Sequence, residues 1–153
     1  MLAIRRALVG LIAIGVVAAA VLAFVTFREE PSAASDSASP RSAVIANSMA
    51  SAGAPASFRN RPTFRSCGEV VLAQGVRIPQ ARIRCLAAAP AEGRELVIAS
   101  PTTEGDPIVR YYRTGPDLDG VEIVEDATRD RFGGGWHRSL CRSGRIDQTG
   151  ACA

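Results

Sequence analysis

Lysine is absent from this 153-residue chain, and all 18 of its basic residues are arginine. Together with the high alanine content, this absence is typical of a GC-rich coding bias. An arginine-only surface can indicate nucleic-acid binding, which needs basic residues clustered on one face. From residue 58 onward, however, 14 arginines are interspersed with 12 acidic residues, which leaves a net charge of only +2. The composition therefore predicts a mixed solvated surface and no nucleic-acid partner.

Residues suited to catalysis are also scarce. His137 is the only histidine, and beside Trp136 in a late strand we expect it to be a surface or packing residue. No Ser-His-Asp or Cys-His arrangement is evident, because the cysteines are expected to form disulfides. The chain has no C-x-x-C pair suited to zinc, and no helix pattern follows the glycines 133–135 to make them a phosphate cradle. The sequence therefore predicts neither an enzyme nor a bound cofactor.

The most informative feature that is present is an uncharged run over residues 7–27, directly after Arg5 and Arg6. At about 1.5 Å of rise per residue, a helix of 21 residues covers the ~30 Å hydrocarbon core of a bilayer. A cleaved secretory signal, which has a shorter apolar core, is the alternative. No cysteine occurs before Cys67, which excludes a lipid-modified amino terminus. We predict an uncleaved transmembrane anchor over 7–27.

The charges on either side of this segment predict its orientation. Arg5 and Arg6 precede it, whereas residues 28–30 carry a net charge of −1. Since positive residues stay in the cytoplasm, residues 1–6 are expected inside and the chain after the anchor outside. The predicted localisation is the cell membrane, with a single span, a cytoplasmic amino terminus and an extracytoplasmic carboxy-terminal domain.

Two regions follow the predicted anchor. Residues 28–57 are dominated by serine, alanine and proline and contain almost no large apolar residues. Such a segment cannot bury enough surface to offset the entropy lost on ordering, so we expect a disordered linker with at most a transient helix at 43–50. Residues 58–153 are then the folded extracytoplasmic domain, which is small enough to benefit from cross-links.

All four cysteines lie in this domain, at Cys67, Cys85, Cys141 and Cys152. An even number of cysteines in a small exported domain predicts two disulfides. Three pairings are possible, and we favour Cys67–Cys85 with Cys141–Cys152 because each pair is local in sequence. A disulfide that closes a loop of this length contributes about 3 kcal/mol to the free energy of unfolding in the chain-entropy treatment.

The apolar pattern of the domain predicts an α+β fold. One helix is expected to begin at Pro79 and to end near residue 89, with Ile83 and Leu86 on its apolar stripe. Strands are predicted on both sides of this helix, at 69–72, 95–100, 108–114, 121–125 and 136–141. The turn residues 115–120 should join two of these strands in a hairpin. The expected architecture is a small antiparallel sheet with one packed helix, stapled by disulfides and preceded by a single transmembrane helix and a flexible linker.

Two local motifs carry a resemblance to a known family. The first motif reads T-T-E-G-D-P-I at 102–108, and the second reads D-A-T-R-D-R-F-G at 126–133. With the closing cysteines, residues 95–153 resemble a family of small, uncharacterised bacterial cell-surface lipoproteins, in which T-x-E-G-D-P-I precedes D-x-[ST]-x-D-x-[FY]-G. The chain departs from that family by its predicted transmembrane anchor and by the pair Cys67 and Cys85. The resemblance implies little about activity, since the family is a domain of unknown function.

The acidic residues of these motifs are the candidate metal ligands: Glu104, Asp106, Asp126 and Asp130. They could converge into an oxygen cage for calcium, or two of them could act as a general acid and base. The interpretation we favour is turn chemistry. In that interpretation Pro107 confines Asp106 to extended geometry, and Asp126 caps its own backbone.

The absence of a catalytic constellation favours a membrane-anchored, extracytoplasmic binding or interaction module, whose partner would be an envelope protein or polymer. Tyr111, Tyr112 and Trp136 are candidates for its contact surface, since aromatic residues are frequent at binding hot spots. A calcium-binding or sensory domain that uses the acidic residues is one alternative. A hydrolase of envelope polymers, with two carboxylates in a cleft, is the other.

Overall fold

Five strands form one sheet in the computed structural model of the protein, which describes residues 42–88 and 90–153. The strands lie side by side in chain order: β1 (Arg65–Val71), β2 (Arg94–Pro101), β3 (Pro107–Thr114), β4 (Val121–Asp126) and β5 (Trp136–Cys141). Strands β2 to β5 pair antiparallel, whereas β1 pairs parallel to β2. The sheet is therefore mixed, with β1 and β5 at its two edges.

The helices in the described part of the chain are α1 (Ser42–Met49), α2 (Ala56–Arg59) and α3 (Gln80–Ala87), and a 3-10 turn, Pro90–Glu92, precedes β2. Helix α3 lies in the connection from β1 to β2. Parallel neighbouring strands need a long crossover connection, whereas a tight hairpin joins only antiparallel strands. Helix α3 is the crossover that allows β1 and β2 to run parallel. Pro79 occupies the position directly before α3, and Leu86 is the buried residue of the helix.

Each face of the sheet carries a hydrophobic core, because side chains alternate between the two faces along a strand. On β2, Leu96 and Ile98 belong to the core beneath α3, and Val97 and Ala99 belong to the opposite core. Helices α1 and α2 cover this second core. We call the side of the sheet under α1 and α2 the groove face, and the other side the α3 face.

The predicted fold class is wrong in two respects. The sheet is mixed and not antiparallel, and helices lie on both of its faces and not on one. The sequence correctly predicted that a helix lies between β1 and β2 along the chain. Apolar periodicity, however, indicates whether an element is a helix or a strand and does not indicate whether two strands run parallel or antiparallel. The strands predicted at 95–100, 108–114, 121–125 and 136–141 coincide with β2 to β5 to within one residue at each end.

The second error originates in residues 42–57, which we expected to belong to a disordered linker. Ile45 of α1 and Ala54 are buried in the core of the groove face. The hydroxyl of Ser48 also connects α1 to the sheet, since it donates to Asp126 Oδ2 at 2.6 Å and accepts from the Tyr111 hydroxyl at 2.8 Å. Ile45, Ala54 and one buried hydrogen-bond network therefore hold a segment whose composition is typical of a linker. The folded part includes residues 42–57.

The remaining predictions for the amino-terminal part lie outside the described residues. These are the cytoplasmic residues 1–6, the transmembrane segment 7–27 and the linker residues 28–41. No helix within 42–88 and 90–153 combines the length and the apolar character needed to cross a bilayer.

Both disulfides are present, with the pairing that the sequence favours. Cys67–Cys85 connects β1 to α3, and the Cα atoms are 5.7 Å apart. Cys141–Cys152 connects the end of β5 to the carboxy-terminal segment, with a Cα distance of 5.4 Å. Each bridge therefore fastens one edge strand of the sheet to a neighbouring element.

Candidate functional site

An open groove lies on the groove face, between the segment that follows α2 and the strands β4 and β5. Its volume is about 480 Å³, within the range of roughly 300–1,000 Å³ that is usual for ligand sites. Side chains from both walls line it, including Phe58, Asn60, Phe64, Glu122, Trp136 and Arg138. The groove is the candidate functional site.

The groove exists because the helices cover only part of this face. Helix α1 contacts β1, β2 and β3, and α2 is only four residues long. Residues 137–140 of β5 are all exposed. The chain after α2 forms the opposite wall through Asn60, Arg61, Pro62 and Phe64. Strands β4 and β5 therefore form one wall of the groove, because α1 and α2 leave them partly uncovered on this face.

An aromatic cluster underlies one end of the groove. The Phe58 ring centroid is 4.6 Å from that of Tyr111 and 4.8 Å from that of Trp136. The guanidinium of Arg61 lies 3.8 Å from the Phe58 centroid. Ring pairs and cation–π contacts at these distances add stability beyond the area that they bury. The cluster therefore holds Phe58 and Trp136 in fixed positions at the groove.

The indole nitrogen Nε1 of Trp136 is buried, and within the described part of the chain it has no hydrogen-bond partner. An indole N–H is a donor only, and burying a donor without an acceptor costs free energy. Trp136 therefore brings an apolar ring to the groove, while its indole N–H is buried.

A row of charged side chains crosses the sheet beneath the other end of the groove. Glu95, Arg113 and Glu122 lie directly opposite one another on β2, β3 and β4. Arg113 Nη1 donates to Glu122 Oε2 at 2.7 Å, and Arg113 Nε is 3.1 Å from Glu95 Oε2. The side chains of Arg113 and Glu122 are only 5% and 6% exposed. We call these three residues the charged row.

Two further arginines complete the charges of this row. Arg61 donates to both carboxylate oxygens of Glu95, at 3.0 and 3.2 Å. Arg138 Nε donates to the second oxygen of Glu122, and its side chain is 65% exposed. All four oxygens of Glu95 and Glu122 are therefore engaged by guanidinium groups. This arrangement can orient a groove wall and attract a negative group through Arg138, but it offers no free carboxylate to a substrate.

The structure brings the two sequence motifs together through one ion pair. Asp106 of the first motif accepts hydrogen bonds from Arg131 Nε at 2.7 Å and Nη2 at 3.0 Å, and also from the Arg131 backbone N–H. These bonds, from the Arg131 side chain above all, lower the pKa of the Asp106 carboxyl below its usual range. Thr102 Oγ1 accepts from the Asp106 N–H and closes the turn of the first motif.

The other acidic candidates lie apart in their own turns. Asp126 is buried and accepts from the backbone N–H and the hydroxyl of Thr128, in addition to Ser48. Asp130 accepts from the Phe132 N–H at 3.0 Å, and Glu104 is exposed in the turn before β3. No group of three or more His, Cys, Asp or Glu residues within 42–88 and 90–153 has the geometry of a metal site. The carboxylates of Asp106, Asp126 and Asp130 instead close turns and loops.

The aromatic residues predicted as a contact surface are divided between the two faces. Tyr111 lies in the core of the groove face and Tyr112 in the core of the α3 face, and both are fully buried. Only Trp136 is partly exposed in the groove. His137 is exposed on β5. Tyr111 therefore supports the groove from below, and Tyr112 lies on the far side of the sheet.

Sequence reasoning missed Phe58, Arg61, Phe64 and Arg113. The Arg113 guanidinium lies 4.6 Å from the Phe64 ring centroid and donates to the Pro62 carbonyl at 2.9 Å, so these residues form one wall with the charged row. A sequence signal existed only for Arg113, since the predicted strands 95–100, 108–114 and 121–125 each carry a charged residue that could pair across the sheet, namely Glu95, Arg113 and Glu122. Their alignment becomes evident only when the register is known.

No protein-family model matches the chain, and comparisons with curated proteins and with solved structures found no significant match.

The charged row predicts an unequal response to the loss of two arginines. Arg113→Ala leaves the carboxylates of Glu95 and Glu122 without their shared partner, and breaking a buried pair in this way costs about 3–5 kcal/mol. We therefore expect the free energy of unfolding, measured by urea denaturation, to fall by about 3 kcal/mol or more. Arg131→Ala is the matched control, since its ion pair with Asp106 is exposed and screened by solvent. Equal losses in the two variants would contradict the burial of the charged row.

Burial predicts the alkaline titration of the protein. Desolvation raises the pKa of Tyr111 and of Tyr112 to about 12, and these are the only tyrosines in the chain. The folded-state pKa lies above the unfolded value of about 10, so the stability that each neutral phenol contributes is complete below about pH 10 and is lost as the pH rises through about 12. We expect an ultraviolet titration to show little tyrosinate until the pH is well above 10. A tyrosinate signal near pH 10 from folded protein would contradict this burial.

Proposed function

We propose that the chain is a membrane-tethered, extracytoplasmic binding module and that the groove is its contact surface. The observation that carries this proposal is an open groove with an aromatic cluster at one end and a buried charged row at the other. Tryptophan and arginine are enriched at the residues that dominate binding energy, and both line this groove. The partner would be a protein or polymer of the cell envelope.

The rigidity of the groove supports a role in binding. Phe58 and Trp136 are fixed by ring contacts, and Arg61 and Arg113 are fixed by the carboxylates of the charged row. A preformed surface loses little side-chain entropy when a partner binds, so more of the contact free energy appears as affinity. If the side chains of the surface were mobile, part of the contact free energy would be lost in ordering them.

The location outside the membrane has two supports. One is the uncharged run 7–27 behind Arg5 and Arg6, and the other is the pair of disulfides, which persist in oxidising compartments. In this proposal residues 1–6 lie in the cytoplasm and 7–27 cross the membrane. The resemblance to cell-surface lipoproteins stays a prediction.

The two alternatives have weaker support from the described residues. A calcium site would use Glu104, Asp106, Asp126 and Asp130, but Asp106, Asp126 and Asp130 each accept hydrogen bonds in separate turns. A hydrolase of envelope polymers would need a proton donor and a nucleophile or base. Glu95 and Glu122 are instead engaged by arginines on every oxygen. Among the described residues, the groove lining then offers Asp117 without a second free carboxylate to act with it. Binding is therefore the function that this geometry supports best.

Protease treatment of cells tests the proposed location. A protease added to cells with a permeable outer layer and an intact inner membrane should degrade the part of the chain after residue 27. A cytoplasmic marker in the same cells is the control and should survive. If the carboxy-terminal part survives with the marker and is degraded only after lysis, the proposed location is wrong.

Site-specific photo-cross-linking tests the proposed surface. A photoreactive residue is placed at Asn60 on the groove wall, and the matched control is placed at Ala81, which is exposed on α3 and lies on the other face of the sheet. We expect a discrete adduct in living cells from position 60 and none from position 81, because only the first position faces the groove. Equal adducts from both positions, or none from either, would contradict the proposal.

A further inference from the structure

The exposed edge of β5 lies directly beside the groove. Strand β5 ends the sheet, and its residues 137–140 are exposed. Its pairing with β4 continues over six residue pairs, from Val121 with Cys141 to Asp126 with Trp136, without a shift of register. An edge strand of this regularity presents a row of backbone donors and acceptors to its surroundings.

The register shows which residues carry those free backbone groups. The Ala127 N–H donates to the Gly135 carbonyl, one step beyond the end of the ladder. In an antiparallel pair, hydrogen-bonded and non-hydrogen-bonded positions alternate. Residues 137, 139 and 141 therefore direct their backbone groups toward β4. Those of Trp136, Arg138 and Leu140 point away from the sheet.

The same three residues place their side chains on the groove face. Arg138 lies opposite Val124, and Leu140 lies opposite Glu122, both of which project to that face. Within 42–88 and 90–153, no hydrogen bond from a loop or side chain reaches the backbone of Trp136, Arg138 or Leu140. The free backbone groups and the groove therefore belong to one continuous surface.

The opposite edge of the sheet, strand β1, is blocked against pairing with a further strand, whereas β5 is not. In β1 the register shifts between Ser66 and Glu69, and Gly68 has a positive φ of 106°. Arg82 of α3 donates to the Cys67 carbonyl, and Ser66 Oγ accepts from the Gly68 N–H. A bulge and capped backbone groups are the usual means of blocking an edge. Among the residues that the structure describes, strand β5 has neither.

We propose that the β5 edge binds an extended acidic polypeptide segment, which adds to the sheet as a sixth strand. This inference rests on the proposed function and identifies the class of partner. Main-chain hydrogen bonds supply affinity in this mode of recognition, and alternate side chains supply specificity. The ligand residues that face Trp136, Arg138 and Leu140 would lie on the groove face beside those side chains.

Charge complementarity selects an acidic occupant. Residues 136–142 contain Arg138 and Arg142 and no carboxylate. Arg138 is 65% exposed and uses its Nε for Glu122, so its terminal nitrogens face solvent. A carboxylate opposite Arg138, with apolar residues two positions to either side, meets Trp136 and Leu140 on one face. A second copy of β5 would instead bring arginines of the two chains together, and like charges across strands are destabilising.

Binding of synthetic peptides to the isotope-labelled full chain in detergent micelles tests the proposal. The probe is the capped peptide TVTETVT, and its controls are TVTKTVT and a TVTETVT that is N-methylated at alternate backbone nitrogens. We expect the amide protons of Arg138 and Leu140 to become protected from hydrogen exchange when the probe binds. Those of His137 and Ser139, which already face β4, should not change. The lysine peptide should bind at least about tenfold more weakly, and the methylated one should give no protection.

A pair of variants at one position provides the second measurement. Leu140→Pro removes a backbone N–H that points away from the sheet, and proline is tolerated on edge strands at such positions. Leu140→Thr keeps that N–H and is the matched control. We expect Leu140→Thr to retain protection by the probe and Leu140→Pro to lose it. If Leu140→Pro does not fold, the methylated peptide makes the same distinction without a change to the protein.

Three outcomes would overturn the proposal that an acidic segment adds to β5 as a sixth strand. These are equal binding of TVTETVT and its methylated form, equal binding of the lysine peptide, and pairing of β5 with a second copy of the chain. None of them affects the adduct expected from position 60, which depends on the groove alone. Cross-linking without edge protection would therefore retain the proposed function and reject this inference. Protection of the edge by the probe without any adduct in cells would reject the proposed function.

Discussion

The groove face depends on the buried guanidinium of Arg113. Removing a charge from water costs several kcal/mol unless its partners are in place. Here the strand register supplies the partners, because Glu95 and Glu122 lie directly opposite Arg113 on the two neighbouring strands. Arg113 Nη2 also donates to the Pro62 carbonyl. The Arg113 guanidinium therefore neutralises Glu95 and Glu122 and also fixes the groove wall that contains Pro62.

The charged row also explains why the groove is open. An apolar helix laid over Glu95, Arg113 and Glu122 would have to desolvate them further without offering hydrogen bonds. Helix α1 instead covers the apolar rows of β2 and β3, where Val97 and Tyr111 lie. The charged row is covered by a short segment whose Pro62 carbonyl accepts from Arg113 and whose Arg61 donates to Glu95. The same chemistry that stabilises the row therefore leaves the outer strands accessible.

Much of the fold could be predicted from the sequence, and the errors have physical causes. Runs of apolar and β-forming residues located β2 to β5, and Pro79 marked the start of α3, because these signals are local. The direction of β1 could not be read, since it depends on where the crossover returns. A transient helix was expected at 43–50, but the packing of α1 was missed because it depends on Ile45 and on the hydroxyl of Ser48, in a composition typical of linkers. The charged row was missed because isolated charges in a sequence usually indicate solvated positions, and only the register aligns them.

The two edge strands, β1 and β5, avoid pairing with a second copy of the chain in different ways. An exposed strand edge favours pairing with any other strand, including that of a second copy. Strand β1 avoids this through a bulge and the Arg82 contact with the Cys67 carbonyl. Strand β5 keeps a regular backbone, and Arg138 lies at its centre with most of its side chain in solvent. A positive charge there repels an identical edge and attracts a negatively charged segment. One residue thus opposes self-association while leaving the edge available to a partner of opposite charge.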